Sequence, residues 1–361
     1  MKYKIDKTSG VSSYMQLYYQ LRHDIVSGIY KAGSRLPSKR ILADESGVSV
    51  ITVLHAYSIL CDEGYVESRE RSGYFVIYTQ SDFPFATENI PQAKVAKKAT
   101  AHAKVDFPFS VLAKTMRRVL LDYENKILVK SPNHGCPEFR LAISRYLARS
   151  TGINVRPEQI IIGSGAEHLY SLIAMLLGEG HIFALENPSY EKIRKVYSLC
   201  GVKCELLKLG EDGIKSSELT KSEASVLHVT PFNSYPSSVS ASVSKRLEYL
   251  NWARERSGFI IEDNYDSELT VSTKNEDTVF ELSKDGLVIY LNTFSRTVAP
   301  SFRIGYAVLP ERLLNDFENK LGFYSCTVPV FEQYVLTELI NSGDFERHIN
   351  KVRRARRKQK N

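Results

Sequence analysis

Three short stretches carry residue types that could do chemistry. In "IIIGSGAEHLY", Ser164-Gly165-Ala166 stands between an apolar run and a helical stretch. That position gathers backbone N–H groups at a helix N-terminus, a seat for phosphate or another anion. In "IEDNYDSEL", Asp263 ends an apolar strand pattern and Tyr265 follows two residues on, so a carboxylate and a phenol share one strand end. In "YLNTFSRTVAPSFRIGYAVLP", Ser295 and Arg296 stand at a polar turn between two strand patterns, with Arg303 just before the second. A guanidinium clamps anions, but its pKa above 12 makes it a poor nucleophile. Each feature also has a plain structural reading. Glycine-bearing strand-to-helix turns recur in doubly wound sheets, and an aspartate at a strand end often caps the next helix.

A second set of residues is basic and hydroxylic, and the elements that must position it lie in residues 12–78. Tyr14, Leu17, Leu21 and Ile25 share one helical face, and Gly28 and Gly33 bracket a turn. Pro37-Ser38 then starts a helix over about 39–46, Gly47 closes it, and a third helix runs over about 49–63. "YVESRERSGYFVIY" reads as a hairpin around Ser72-Gly73. This order is that of a winged helix-turn-helix, which offers its last helix to the major groove and its wing to the backbone or minor groove of double-stranded DNA. Arg35, Ser38, Lys39, Arg40, Ser49, Thr52, Arg69, Arg71, Ser72 and Gly73 then fall where phosphate contacts are made. A small helical interaction domain with a solvated charged surface is the other reading of the same pattern.

At 361 residues the chain has room for more than one domain. Residues 79–105, with two prolines, many alanines and lysines and no sustained apolar period, read as a linker. Beyond it the pattern changes class. Apolar runs at 160–162, 182–185, 225–229, 259–262, 287–291 and 304–309 alternate with helical stretches at 166–177, 190–200 and 242–256. Short strands that are apolar throughout indicate a largely parallel sheet covered on both faces. No apolar run approaches the roughly 18–20 residues needed to span a bilayer. The start, MKYKIDKTSG, lacks the apolar core of a secretory signal, so a cytoplasmic protein is expected. Five scattered cysteines make no disulfide framework, and Cys200 and Cys204 have no further ligands nearby, so no metal is expected. Residues 351–361 hold seven basic and no acidic side chains, and the remaining 350 balance at 41 against 41. The net charge of +7 is therefore a property of the tail.

With both halves read, the chain resembles the MocR/GntR-type transcription regulators, in which a GntR winged helix-turn-helix is joined to a fold-type I aminotransferase-like, pyridoxal-phosphate-dependent large domain. In the first half the resemblance rests on "AGSRLPSKRILADESGVSVITVLHAYSILCDEGYVESRERSGYFV". In the second it rests on "NHGCPEFRLAISRYL", "PEQIIIGSGAEHLYSLI", "ENPSY", "IEDNYDSEL" and "TFSRTVAPSFRIGY", all in family order. It implies an α/β fold with a doubly wound, mostly parallel sheet. The domains would be a winged helix at 1–78, the large domain at 106–345, and at 346–361 the basic start of a C-terminal small domain that is missing. It implies a cofactor site at Ser164, Gly165, Ala166, Tyr190, Asp263, Tyr265, Ser295, Arg296 and Arg303, with Asp263 facing the pyridine nitrogen and Tyr265 the ring hydroxyl.

The departures from the family pattern are as informative. Arg296 stands where the family carries its Schiff-base lysine, and no lysine lies between Lys284 and Lys320. "TPFNSYPSSVS" replaces a Pro-Thr-Gly turn, and the lobe that closes the family's active site would lie beyond residue 361. Transamination is therefore not expected, and pyridoxal phosphate, if bound, is held non-covalently. In the DNA-binding half, Val50 replaces a family arginine at the start of the recognition helix. It forfeits a bidentate guanine contact worth about 1–3 kcal/mol but can touch a thymine methyl. The expected protein is a homodimeric DNA-binding regulator whose second domain is degenerate or senses an amino acid or pyridoxal phosphate. The alternatives are an aminotransferase acting on an amino acid, and a truncated product whose second domain serves dimerisation alone.

Overall fold

A computed structural model describes residues 3–6, 8–79, 107–178, 180–269 and 277–360. The chain forms two units, Met1–Lys98 and Ala99–Asn361. From residue 80 on, the stretch read as a linker lies outside the described residues.

The first unit runs α1 (Ser13–Val26), α2 (Lys39–Ser46), α3 (Val50–Asp62), β1 (Val66–Arg69) and β2 (Gly73–Val76). The two serines that open α2 and α3 are caps. Ser38 accepts from the Ile41 N–H and Ser49 from the Thr52 N–H, which satisfies donors that a helix start leaves unpaired. Gly47 ends α2 at φ +64, a left-handed value that glycine adopts without a Cβ clash. Leu17, Leu21, Val53, Ala56, Tyr57 and Leu60 are buried between α1 and α3. Truncating one such leucine to alanine costs about 2–5 kcal/mol, a large share of what so small a core supplies. The Tyr57 hydroxyl donates to the Pro37 carbonyl at 2.8 Å and ties α3 to the start of α2.

The second unit opens with α4 (Phe109–Tyr123) and α5 (Pro137–Ser150). There follow β3 (Ile160–Gly163), α6 (Ala166–Leu177), β4 (Ile182–Asn187), α7 (Glu191–Leu199), β5 (Lys203–Lys208), α8 (Ser216–Lys221), β6 (Val226–Val229), α9 (Val243–Glu255) and β7 (Phe259–Asp263). The described chain closes with α10 (Val279–Leu282), β8 (Val288–Thr293), β9 (Gly305–Val308), α11 (Leu314–Leu321), α12 (Val330–Asn341) and α13 (Asp344–Lys360). The strands form one sheet in the order β3-β9-β8-β7-β6-β4-β5. All pairings are parallel except those of β9, which runs antiparallel to both β3 and β8. Alternate residues of each strand serve opposite faces: Ile161, Ile261 and Ile289 pack with α6, α7 and α11, while Ile160, Ile162, Ile260 and Val288 pack on the other side. Covering both faces is what makes the central strands largely apolar, apart from polar residues such as His228, Glu262 and Asn292 toward their carboxyl ends.

Two features departed from the apolar-run reading. Edge strand β5, Lys-Cys-Glu-Leu-Leu-Lys, is half exposed and mixes charge with leucine, so it carries no continuous apolar signal. The basic tail is helical: in α13, Phe345 and Ile349 enter the core that α5 and α12 share.

Candidate functional site

In the first unit the exposed surface of the helix-turn-helix carries Arg35, Ser38, Arg40, Ser49, Arg69, Arg71 and Ser72. Lys39 is half buried, with its ammonium 5.9 Å from the Tyr74 ring centroid. Ser38 and Ser49 act first as helix caps, and the Thr52 hydroxyl is bound to that of Ser49 at 2.9 Å. In the wing, the Arg69 guanidinium pairs with Glu67 at 2.5 Å and lies 4.5 Å from the Phe75 ring centroid. Arg71 sits at the hairpin tip at φ +56 and Gly73 at φ +110. A Cβ at Gly73 would come within 2.9 Å of Nε of the exposed Arg35, which can swing aside, so it is the positive φ that favours glycine there. At the start of α3 the side chains offered to solvent are hydrocarbon: Val50 is 44% exposed, Ile51 65% and Leu54 39%.

In the second unit, every sequence-derived candidate lies at one edge of the sheet. Ser164 follows β3, Tyr190 follows β4, Asp263 ends β7, Ser295 and Arg296 follow β8, and Arg303 precedes the antiparallel β9. The carboxyl ends of parallel strands are where open α/β sheets hold ligands, because the loops there converge and the helix N-termini point inward.

Asp263 is buried, held by two hydrogen bonds and approached on a third side by an imidazole. The Tyr170 hydroxyl donates to its Oδ2, the Tyr265 N–H donates to its Oδ1 at 3.2 Å, and His228 Nε2 lies 3.7 Å from Oδ2. His228 is in turn bound through Nδ1 to the Tyr197 hydroxyl at 2.7 Å. The Tyr265 hydroxyl donates to the Asn233 carbonyl at 3.0 Å. Burial and the nearby Asp266 push its pKa up to about 12, with Arg296 opposing.

At the turn from β3 into α6, Gly165 has φ +88 and its N–H donates to the Gly163 carbonyl at 2.8 Å, and a Cβ there would meet the Arg303 guanidinium at 3.1 Å. The positive φ is what favours glycine at this turn, since the half-exposed guanidinium could shift by a few tenths of an ångström. Ser164 is engaged locally: its N–H donates to His168 Nδ1 at 3.2 Å and its hydroxyl is bound by Thr327 at 2.9 Å. The Ser295 hydroxyl donates to the Phe302 carbonyl at 2.9 Å and closes the turn that carries Arg296. Tyr190 meets the Tyr235 ring edge-on at 6.2 Å. Ser238, where the resemblance puts the glycine of the Pro-Thr-Gly turn, holds a glycine-like φ of +58.

Sequence reasoning missed several members of this edge. Tyr170 and His228 read as core residues on an apolar helix and strand. Asp266 lies within the quoted "IEDNYDSEL" but was given no role. Its carboxylate meets Arg296 Nε at 3.4 Å, Asn233 Nδ2 at 3.1 Å and Arg356 Nη1 at 3.7 Å. Arg353 and Arg356 of α13 also donate to the carbonyls of Glu268 and Leu269, at 2.5 and 3.0 Å. Nothing in a run of basic residues distinguishes those two from their solvated neighbours.

A helix-turn-helix with a wing, followed by a mostly parallel sheet of the aminotransferase kind, defines a two-part regulator class. Residues 13–76 match the family of bacterial regulatory proteins, gntR family, and residues 80–361 match aminotransferase class I and II. The chain is 32% identical over 368 residues to YdeL, an HTH-type transcriptional regulator of Bacillus subtilis (strain 168), covering 99% of this chain and 79% of that one. It is 29% identical to the "Probable rhizopine catabolism regulatory protein MocR" of Rhizobium meliloti, over 97% of this chain and 76% of that one. Among solved structures, LysN, the α-aminoadipate aminotransferase of Thermus thermophilus complexed with N-(5'-phosphopyridoxyl)-L-leucine, superposes with a TM-score of 0.61 at 26% identity. That match covers 70% of this chain and 65% of LysN, so the chain spans a little under two thirds of the solved enzyme. The protein belongs to the MocR/GntR-type family of HTH transcriptional regulators with an aminotransferase-like domain.

Proposed function

We propose that the protein regulates transcription by docking α3 in the major groove of duplex DNA with the β1–β2 wing on the backbone, and that its second unit senses a phosphate-bearing pyridine ligand. The observation that carries the DNA reading is the surface of the helix-turn-helix. Arg40 and Arg71 are exposed and have no carboxylate partner among the described residues, while the start of α3 presents Val50, Ile51 and Leu54. The guanidiniums supply sequence-independent attraction to phosphate, and the hydrocarbons suit thymine methyls rather than guanine edges. A homodimer working in the cytoplasm, where bacterial DNA lies, is part of this reading.

The residues of the second unit fit pyridoxal phosphate in two of its three parts. The Ala166 N–H at the start of α6 and Arg303 would hold the phosphate, the Ser164 and Gly165 N–H groups being already donated to His168 Nδ1 and to the Gly163 carbonyl. Asp263 would accept from the ring nitrogen and Tyr265 would face the ring hydroxyl, with Tyr190 alongside. The third part, a covalent tether, has no amine at Arg296, so the ligand would be held by contacts alone. When bound, pyridoxal phosphate supplies an electron sink and an aldehyde that reacts with amines. The chain's own part is to orient it: Tyr170 and the Tyr265 N–H hold the Asp263 carboxylate in one plane.

The test is fluorescence anisotropy of the full chain on duplex DNA from its own upstream region across a salt series. Affinity should fall steeply with salt, and Arg40→Glu should weaken all sequences alike. Absence of binding at about 50 mM salt, or no loss in Arg40→Glu, would overturn the reading.

A further inference from the structure

The first turn of α3, the part of a recognition helix that meets base edges, carries no charged or amide side chain. Val50, Ile51 and Leu54 are 44, 65 and 39% exposed there. At 3.6 residues per turn their positions fall within an arc of about 100°, so the three hydrocarbons make one face. The two hydroxyls of the same turn are engaged with each other. Ser49 Oγ accepts the Thr52 N–H at 3.1 Å and lies 2.9 Å from the Thr52 hydroxyl. The exposed polar side chains His55 and Ser58 come more than a turn after Val50, and the His55 ring packs edge-on against Tyr14 at 5.7 Å. Single exposed hydrocarbons are ordinary surface. Three on one face, at the reading end of this helix, are not scattered singly.

We propose that α3 reads the C5-methyl group of pyrimidines in the major groove, so that 5-methylcytosine can stand in for thymine and uracil cannot. The inference rests on the DNA reading above and names the chemical group which that interface recognises. Among the groups that base pairs present in the major groove, the C5-methyl is the apolar one. Uracil lacks it while keeping thymine's hydrogen-bonding edge. 5-Methylcytosine carries it at the same ring position but presents an amine donor where thymine has its O4 acceptor. A hydrogen-bonding side chain would tell those two apart, whereas a hydrocarbon meets the methyl they share. A protein partner or a second copy of the chain would also cover an apolar face. The charges of the unit favour DNA: Arg40 and Arg71 are exposed and have no carboxylate partner among the described residues, and phosphates lie on both sides of a groove that bears methyls. Methylation of cytosine at C5 within a bound site then strengthens binding. The regulator responds to the chemical state of its site as well as to its sequence.

The experiment is fluorescence anisotropy of the full chain on the duplex from its own upstream region, prepared in four forms. One is unmodified, and one has uracil for every thymine. In the other two, thymines that footprinting shows to be protected are replaced by cytosine or by 5-methylcytosine, each paired with guanine, so that this pair of duplexes differs in the methyl alone. Loss of one methyl-sized apolar contact is worth about fourfold in affinity. The uracil duplex, losing two or more, should bind about tenfold or more weaker than the unmodified one. The 5-methylcytosine duplex should bind about fourfold tighter than its cytosine counterpart for each contacted position. In the triple variant Val50→Ala, Ile51→Ala and Leu54→Ala both ratios should collapse toward one, while the dependence of affinity on salt stays that of the unaltered chain because the phosphate contacts remain. Equal binding of the thymine and uracil duplexes by the unaltered chain would overturn this inference and leave the DNA reading standing. So would a 5-methylcytosine duplex bound no tighter than the cytosine one. Ratios that survive the triple variant would assign the effect to duplex shape and remove α3 from it, and the proposal with it. Failure to bind any of the four duplexes would overturn both readings. The comparisons on the unaltered chain decide the matter even where the variant does not fold.

Discussion

Glu268 should make the second unit less stable as pH rises through neutrality. Its carboxyl is buried, takes the Asn292 amide on Oε1 at 2.7 Å, and has no hydrogen-bond partner on Oε2. Burial, with Asp266 adding to it and Arg353 and Asn292 opposing, raises its pKa from the ordinary 4.5 to about 7. The protonated form is therefore favoured by folding. Its contribution to stability is fully present below about pH 4.5 and is lost as pH rises through about 7. At about 1.4 kcal/mol per pKa unit, the loss is on the order of 3 kcal/mol by pH 8, roughly a fifth or more of the stability of a typical domain. Glu262, also buried and raised to about 7, tilts the profile the same way, so the unaltered chain alone does not isolate Glu268. Glu268→Gln does: its amide oxygen can keep the Asn292 contact, and no charge forms. The assay is urea unfolding followed at Trp252, the chain's one tryptophan, which is buried in α9 and reports on this unit alone. Between pH 5 and pH 8 the unaltered chain should lose on the order of 3 kcal/mol more than Glu268→Gln. Parallel pH profiles for the two would refute the reasoning.

Three further outcomes are expected. Ser238→Gly should raise stability by roughly 0.5–1 kcal/mol in the same urea assay, because relief of a left-handed serine at φ +58 outweighs the added freedom of glycine in the unfolded chain. Val50→Arg should raise affinity for sites with guanine in the contacted major groove by about 5–150-fold and leave thymine-rich sites no tighter, read by anisotropy on paired duplexes. Arg296→Lys, soaked with pyridoxal phosphate and treated with borohydride, should carry the cofactor covalently at position 296 by peptide mass mapping, whereas the unaltered chain carries none there; labelling of neither would argue against a ring seat at Asp263 and Tyr265.

Much of this was legible in the sequence where local rules and tertiary structure agree. Helix α2 begins after Ser38 and ends at Gly47 because a capping hydroxyl and a left-handed glycine act within one turn of chain. The strands β3, β4, β6, β7, β8 and β9 announced themselves because burial on both faces leaves no room for polar alternation. β5 stayed silent because it is largely uncovered and mixes charged residues with leucine, whereas β3, at the other edge, is buried throughout. Ser164, Asp263 and Arg296 could be picked out through the family motifs that contain them, and the structure sets all three at the carboxyl ends of strands.

What the sequence could not reveal is pairing between residues far apart along the chain. Tyr170 reaches Asp263 across 93 positions, and Arg353 and Arg356 bind carbonyls 85 and 87 positions away, in a turn beside the ligand edge. A tail of like charges reads as one solvated run. Only the helix of α13, turning Phe345 and Ile349 into the core, selects which two arginines face inward and which stay in water. Asp266 likewise became the shared counter-ion of Arg296 and Arg356 only when strand order brought β7, β8 and the tail to one place. Charge is written in composition, but its neutralisation depends on distance, and distance between remote residues is set by the fold.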